Sequence, residues 1–461
     1  MPMNMPRRAF LVGSAALAAW PRGLFAAAPK NLASAWENPD GTATDTVMAR
    51  RIHLDLAGRI PTKDEAQAYV ASSDPDKRAA LVDRLLASGE FADYWAMRFC
   101  DVLRVKSEFP INLWPNAVYV YHARIRQFVE RNEPWDEFGR ALLTSQGSDF
   151  RDAEVNFFRA TDKRSPDGWA EAVAQTFLGL PPDRLPSARR AELAKPFENL
   201  CIKNTREWKE EIVFVDGPDH RAALCDHLFG DCRAEVAAAF HARLRGWLFG
   251  PDEAPAADDA CGGEMRLKDV LRTIVLSGEY ARGSVTGAFP ARRLDAEVLD
   301  DAICALSGAT RDYQSPAPEP FTFLPKDRPT VCVEDGSISS GFLSLFGRPA
   351  RDTGLPSERG QDVTAKQRLY LFNSSRLHGL LWRVATPGPR KNNPLWKLSV
   401  PKRVDDIYWR ILSRAPTPDE RRHVVALWRA RGKRKNGERV SDLMRDVAWC
   451  LFNTKEFLFR V

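Results

Sequence analysis

The sequence predicts a mainly α, multi-helix protein of two domains, with short β segments and one long irregular insertion. Three observations carry this prediction. Apolar residues recur at helical spacing through most of the chain, helix-start signals precede many of those runs, and strand-like runs are few. At 461 residues the chain exceeds one ordinary core, and a composition 44% apolar and 28% charged is that of a folded globular protein. The net charge of +6, from 67 basic and 61 acidic residues, is a mild excess over this length and gives no case for a nucleic-acid partner.

The chain opens with Arg7-Arg8-Ala9-Phe10-Leu11, an alanine-rich apolar run to about Trp20, and small residues at Ala26, Ala27, Ala28 and again at Ala33-Ser34-Ala35. This predicts an export signal over residues 1–35. Its paired arginines fit the twin-arginine type, while Pro6, where that type carries Ser or Thr, leaves the ordinary secretory type open. The apolar run is too short and interrupted for a spanning helix. The expectation is a periplasmic or secreted protein, with no integral membrane span beyond an uncleaved signal.

Beyond the signal, an N-terminal helical domain is predicted over 36–216. Thr62-Lys63-Asp64-Glu65 after Pro61 is a capping box that opens a run to Val70, and 76–87 places Ala80, Leu81, Leu85 and Leu86 on one face. Helical patterns follow at 116–132, 134–144 and 166–178, and a strand at 211–215. Asp216-Gly217-Pro218 breaks the pattern, which sets the domain boundary near Gly217 and a C-terminal helical domain over 217–461. Its helices are predicted at 221–228, 234–249, 267–276, 295–306, 364–384, 404–412, 418–430 and 441–452, with a strand at 330–333. Low-hydrophobicity stretches at 250–263 and 314–329 read as loops, 316–360 as a long insertion, and basic 429–439 as a solvated loop. The eight cysteines, at 100, 201, 225, 232, 261, 304, 332 and 450, show no dense disulfide spacing. One or two bridges would be compatible with an oxidising compartment, and the sequence does not pair them.

A faint repeat runs through both ends. "IHLDLAGRIPTKDEAQAYV" (52–70) aligns without gaps on "IYWRILSRAPTPDERRHVV" (407–425), each placing an apolar helix before Arg-x-Pro-Thr-x-Asp-Glu. Proline stops one helix and the Thr/Glu pair starts the next. A second echo, "LLASGEF" (85–91), "IVLSGEY" (274–280) and "CLFNTKEF" (450–457), places a small polar pair, Glu and an aromatic at a helix end. The bland account is a reused packing unit, with similar helical hairpins at the two ends.

"RRIHLDLAGRIPTKDEAQAYV…DKRAALVDRLLASGEFADYWAMRFCDVLRV" resembles the secreted bacterial family called domain of unknown function 1549. After Gly217, "RLKDVLRTIVLSGEYARG", "RRLDAEVLDDAICALSG", "RLYLFNSSRLHGLL", "RVDDIYWRILSRAPTPDE" and "VAWCLFNTKEFLF" resemble its usual companion, domain of unknown function 1553. The resemblance implies export, and relatives often carry cytochrome-c-like or carbohydrate-binding modules. Many members follow the Phe-Leu-Gly helix with Cys-x-x-Cys-His. Here Phe177-Leu178-Gly179 runs into "LPPDRLPSARRAEL" instead, which argues against haem-linked electron transfer, and no cofactor is expected.

Familiar enzyme signatures are missing from the sequence. The densest His/Cys grouping is His220, Cys225, His227 and Cys232. On one helix it falls into two stripes about 140° apart, so no metal site is expected there. Glu207, Glu210 and Glu211 beside Trp208 would suit a sugar-processing site, against the plainer reading of a charged edge with Trp208 packed inward. The aromatic run 112–135 would stack on sugars or, more plainly, pack a core.

The strongest candidate is "SLFGRPARDTGLPSERG" (344–360). Its apolar anchors Leu345, Phe346 and Leu355 mark an ordered loop rather than a linker. Arg348, Arg351 and Arg359 offer planar forks for a carboxylate, phosphate or sulfate group, and Asp335, Asp352 and Glu358 are the candidate acid and base. A subset of the second family carries a similar Phe-Gly-Arg-Pro-x-Arg-Asp-Thr-Gly stretch. The plainer reading has these arginines paired with carboxylates, clamping the insertion onto the helices. The functional expectation is a protein that binds an anionic polysaccharide or envelope protein partner through this loop; the alternative is a polysaccharide hydrolase or lyase.

Overall fold

The computed structural model describes residues 33–250, 265–285, 289–324, 326–385, 398–430 and 438–461. Residues 1–32 of the export signal, 251–263 of the break and 431–437 of the basic stretch lie outside them.

The chain is mainly helical, and side-chain caps set many helix starts. α1 (Asp45–Ala57) ends on Gly58 in the left-handed region, and α2 (Lys63–Ala71) opens on the predicted capping box of Thr62 and Glu65. α3 (Lys77–Leu86) leads into α4 (Gly89–Val102), where Ser88 accepts the Phe91 N–H. The "SGEF" stretch therefore starts a helix as well as following one. α5 (Pro115–Arg131), α6 (Trp135–Thr144) and α7 (Pro166–Phe177) match their predicted patterns to within a residue or so. α8 (Ser187–Ala194) was not legible in the sequence.

β1 (Gly147–Ser148), β2 (Leu200–Asn204) and β3 (Glu211–Val215) form an antiparallel sheet in the order β1-β3-β2, with Leu200 opposite Val215 and Gly147 opposite Val213. After Gly217 come α9 (Arg221–Asp226), a π turn at His227–Asp231, α10 (Arg233–Phe249) and α11 (Leu267–Leu276). β4 (Arg292–Arg293) precedes α12 (Ala296–Ser307), and a short helix α13 (Gly341–Leu345) lies in the insertion. The predicted strand at 330–333 is a 3-10 turn instead. The Asp301 carboxylate takes the N–H groups of Thr330 and Val331 (2.7 and 3.0 Å) that a strand ladder would have used. The predicted helix 364–384 is two helices, α14 (Ala365–Asn373) and α15 (Ser375–Ala385). Ser374 is extended between them, and its hydroxyl accepts the Leu377 N–H. α16 (Val400–Leu412), α17 (Pro418–Ala430), α18 (Glu438–Phe452) and α19 (Lys455–Leu458) lead to β5 (Phe459–Arg460), which pairs antiparallel with β4.

Buried apolar residues on both sides of Gly217 belong to one connected cluster, from Ala43 to Phe457. The two echoes noted in the sequence join into one unit, repeated at each end of the chain. Arg59 forks onto Glu65 of its own capping box (2.8 Å twice) and reaches Glu90 of "SGEF" (2.8 Å). Arg414 forks onto Glu420 (2.7 and 2.9 Å) and onto Glu456 of "TKEF" (2.7 and 2.9 Å). The first unit's α1 meets the second directly: Arg50 donates to the carbonyls of Ile411 and Phe457 (3.0 and 3.3 Å), and Lys63 pairs with Asp406 (2.7 Å).

Candidate functional site

The loop 344–360 folds against α4 and α12 with its arginines turned inward. Two tight backbone passages make this possible. Gly347 (φ 77°) passes so close to Gly360 that a Cβ would sit 2.4 Å from its carbonyl oxygen, and Gly354 (φ 70°) so close to α4 that a Cβ would sit 2.6 Å from the Val102 oxygen. Arg351, 1% exposed, donates from Nε to Asp101 (2.9 Å) and from Nη1 to the Glu334 carbonyl (2.6 Å). Arg359 takes the other Asp101 oxygen (2.6 Å) and Glu297 (2.7 Å), and lies 3.5 Å from Asp295. Arg348, 8% exposed, donates to the Ile338 and Asp335 carbonyls and lies 3.5 Å from Glu297.

Electrostatics follow this geometry. Burial alone would raise the Asp101 pKa, but Arg359 and Arg351 override it and hold the carboxyl below its ordinary range. Burial likewise opposes the charge on Arg359, and Asp101, Glu297 and Asp295 together push its pKa well above the usual value. Each guanidinium is already occupied by helix carboxylates and main-chain carbonyls. The arrangement is that of a clamp.

The candidate carboxylates are held within the same fabric. Asp335 is 3% exposed and accepts the N–H groups of Ser107 and Ser337 (3.0 and 2.8 Å). Asp352 pairs with Lys106, while Glu358 accepts from the Asp352 N–H (3.1 Å) and from Thr353. In the His/Cys grouping, the π turn brings the His227 ring to 3.5 Å from Cys232 Sγ and 3.2 Å from Asp231. Among the described residues no group of three or more His, Cys, Asp or Glu is arranged to hold a metal, and the described cysteines are free thiols.

A different site is open to solvent. Trp208 stands at the tip of the β2–β3 hairpin and is 59% exposed, not packed inward. The turn is shaped by Lys209 in the left-handed region (φ 65°) and by Thr205, whose hydroxyl accepts the Glu207 N–H and donates to Glu210 (3.0 and 2.8 Å). Glu210 thereby turns inward, where Ser148 also donates to it, and Glu211 pairs with Arg159 and Arg164. Of the three glutamates only Glu207 stays exposed, so the carboxylate pair considered from the sequence does not form.

Against Trp208 lie Trp114, from the start of α5, and Phe321, from the insertion. The ring centroids are 4.8 Å apart for Trp114 and Trp208, 5.1 Å for Trp208 and Phe321, and 5.7 Å for Trp114 and Phe321. Lys209 Nζ lies 5.3 Å from the Trp114 ring centroid, and Arg206 is exposed on the same turn. The Trp114 backbone is unusual for a bulky residue, at φ 71°, and is held by its N–H bond to the Ser107 carbonyl (3.3 Å). Exposed Phe109 and Phe323 come from the same two segments as Trp114 and Phe321. The sequence flagged Trp208 and Trp114 separately. Phe321 carried no signal beyond a proline-rich context, so the platform as a whole was not legible.

Residues 29–181 match the family described as protein of unknown function (DUF1549), and residues 257–428 match the one described as protein of unknown function (DUF1553). No curated protein and no solved structure matches the chain.

Proposed function

We propose that this chain, which belongs to the DUF1549–DUF1553 pairing, is an exported protein that binds an anionic polysaccharide on the platform of Trp114, Trp208 and Phe321. The observation that carries the reading is the convergence of three aromatic rings, from three distant segments, at a solvent-facing tip. Folding ordinarily buries such rings. With Trp208 and Phe321 exposed and Trp114 half-buried against them, they offer flat apolar faces on which the C–H faces of sugar rings stack. The residues from Lys203 to Lys209 include Lys203, Arg206 and Lys209 against Glu207, a local excess of positive charge that favours uronate or sulfate groups.

In this reading the loop arginines act one step back, holding the insertion that carries Phe321. Hydrolase or lyase chemistry on Asp335, Asp352 and Glu358 draws no support from their positions, because each is engaged within the loop fabric.

The test is affinity electrophoresis of the mature protein in gels containing a uronate-rich polysaccharide, a sulfated one, or a neutral glucan. Retardation by an anionic polymer is expected, with at least a tenfold loss in Trp208→Ala, equivalent to about 1.4 kcal/mol. Trp208→Ala should leave the unfolding midpoint nearly unchanged, since the ring is mostly exposed. Equal retardation of Trp208→Ala, or none by any polymer, overturns the reading and moves the platform to a protein partner.

A further inference from the structure

We propose that the cavity between α1, α4, α12 and the β4–β5 pair is a binding site for a small carboxylate-sized anion. It is lined by Asp55 of α1, Tyr94 and Arg98 of α4, Arg292 and Arg293 of β4, Asp295 at the start of α12, and Arg460 of β5, with Leu54, Trp247, Leu294 and Val298 closing the apolar sides. Its volume of about 30 Å³ holds about two water molecules, the room a carboxylate group needs.

The charges around it do not balance. Four guanidiniums face two carboxylates. Arg98 is paired with Asp295, and Arg460 with Asp55 (2.7 Å). Arg292 and Arg293 have only main-chain carbonyls: Gly246 and Trp247 for the first (3.0 and 2.7 Å), Leu294 and Gly360 for the second. Arg460 is 5% exposed and Arg293 6%. Nε and Nη2 of Arg460 and Nε of Arg293 find no hydrogen-bond partner among the described residues. A buried donor without a partner is costly, and a buried charge without a counterion more so. Burial first, then Arg460 and Arg98 against the opposing field of Asp295, push the Arg292 pKa down to about 10.

A carboxylate fits these features better than a larger anion does. Its two oxygens accept from the guanidinium forks in one plane. The site also lies where the two ends of the chain meet, since Arg460 and Asp55 are 405 residues apart. An anion bound there holds only in the folded state and therefore stabilises it. This inference does not depend on the polysaccharide reading, because the cavity and the aromatic platform share no residue.

The experiment is thermal unfolding of the full chain in sodium formate, titrated against sodium chloride at constant ionic strength, with isothermal titration of formate as the independent measure. A saturable rise in midpoint with formate is expected, and none with sulfate beyond its general salt effect. Arg292→Gln, whose partners are carbonyls, should weaken the apparent affinity at least fivefold. Val298→Met, which fills the space and leaves every charge, should do the same and keeps the test decisive should Arg292→Gln fail to fold. No formate-specific shift in the parent chain, or an undiminished shift in a folded variant, overturns the proposal.

Discussion

Arg351 Nε donates to Asp101 Oδ1 at 2.9 Å, joining residues 250 positions apart in the chain. The other oxygen of the same carboxylate takes Arg359, which also grips Glu297. One carboxylate of α4 thus fastens the loop, and through Arg359 the loop fastens α4 to α12.

This makes Asp101 the keystone of the clamp. Asp101→Asn removes the shared carboxylate from two buried guanidiniums, leaving Arg351 only main-chain carbonyls while Arg359 keeps Glu297, whereas Arg351→Met leaves Asp101 its Arg359 partner. Breaking a buried pair costs about 3–5 kcal/mol. We expect Asp101→Asn at the upper end of that range and Arg351→Met at about 3 kcal/mol or less in urea unfolding. The double variant should cost less than the sum of the two, because the residues share one interaction. An additive double variant would count against the clamp.

The two repeat units should differ in strength for a reason of burial. The Arg414 side chain is 5% exposed and grips two glutamates, one of them 5% exposed. The Arg59 side chain is 26% exposed and its partner Glu90 is 48% exposed. We expect Arg414→Ala to cost about 3–5 kcal/mol and Arg59→Ala about 1 kcal/mol, since exposed pairs contribute little. Equilibrium unfolding of both variants checks the order.

Stability should rise with pH below neutrality, in part through His122. Burial first, then the fields of Arg351, Arg328 and Arg126, push its pKa down to about 3. In the unfolded chain the imidazole takes a proton below about pH 6.5. Between these two values the unfolded state binds more protons, so stability increases with pH across the window and is lost as pH falls. The slope from this residue approaches about 1.4 kcal/mol per pH unit. His122→Leu should remove that share of the slope between pH 4.5 and 6.5 in urea unfolding; an unchanged slope would show that the imidazole does not stay neutral.

Gly354 and Gly278 offer a paired test of backbone placement. A Cβ at Gly354 meets the Val102 oxygen at 2.6 Å with φ at 70°, whereas one at Gly278 meets nothing within 4 Å. We expect Gly354→Ala to cost about 1–3 kcal/mol and to loosen the loop to limited proteolysis. Gly278→Ala should lie within about 0.5 kcal/mol of the parent. Equal effects would mean that the passage of the loop over α4 is not tight.

The sequence by itself determined most of the helices and many of their starts, though not α8 or the break between α14 and α15. Signals such as the Thr62/Glu65 box, the apolar spacing of 267–276 and the proline at 418 are local, and local hydrogen bonds and periodicity decide them. It also contained the repeat, because a stop-and-restart motif is written in consecutive residues. At 330–333 it misread because a distant partner had taken over: Asp301 claims the N–H groups that the segment would give to a strand. Whether the loop arginines would face a ligand or the protein was not decidable from their spacing, since Asp101, Asp295 and Glu297 come from helices far along the chain. The aromatic platform and the arginine-lined cavity depend on the tertiary structure in the same way. Each gathers side chains from segments far apart in the chain, and only chain packing decides which rings stay exposed and which charges share a buried space.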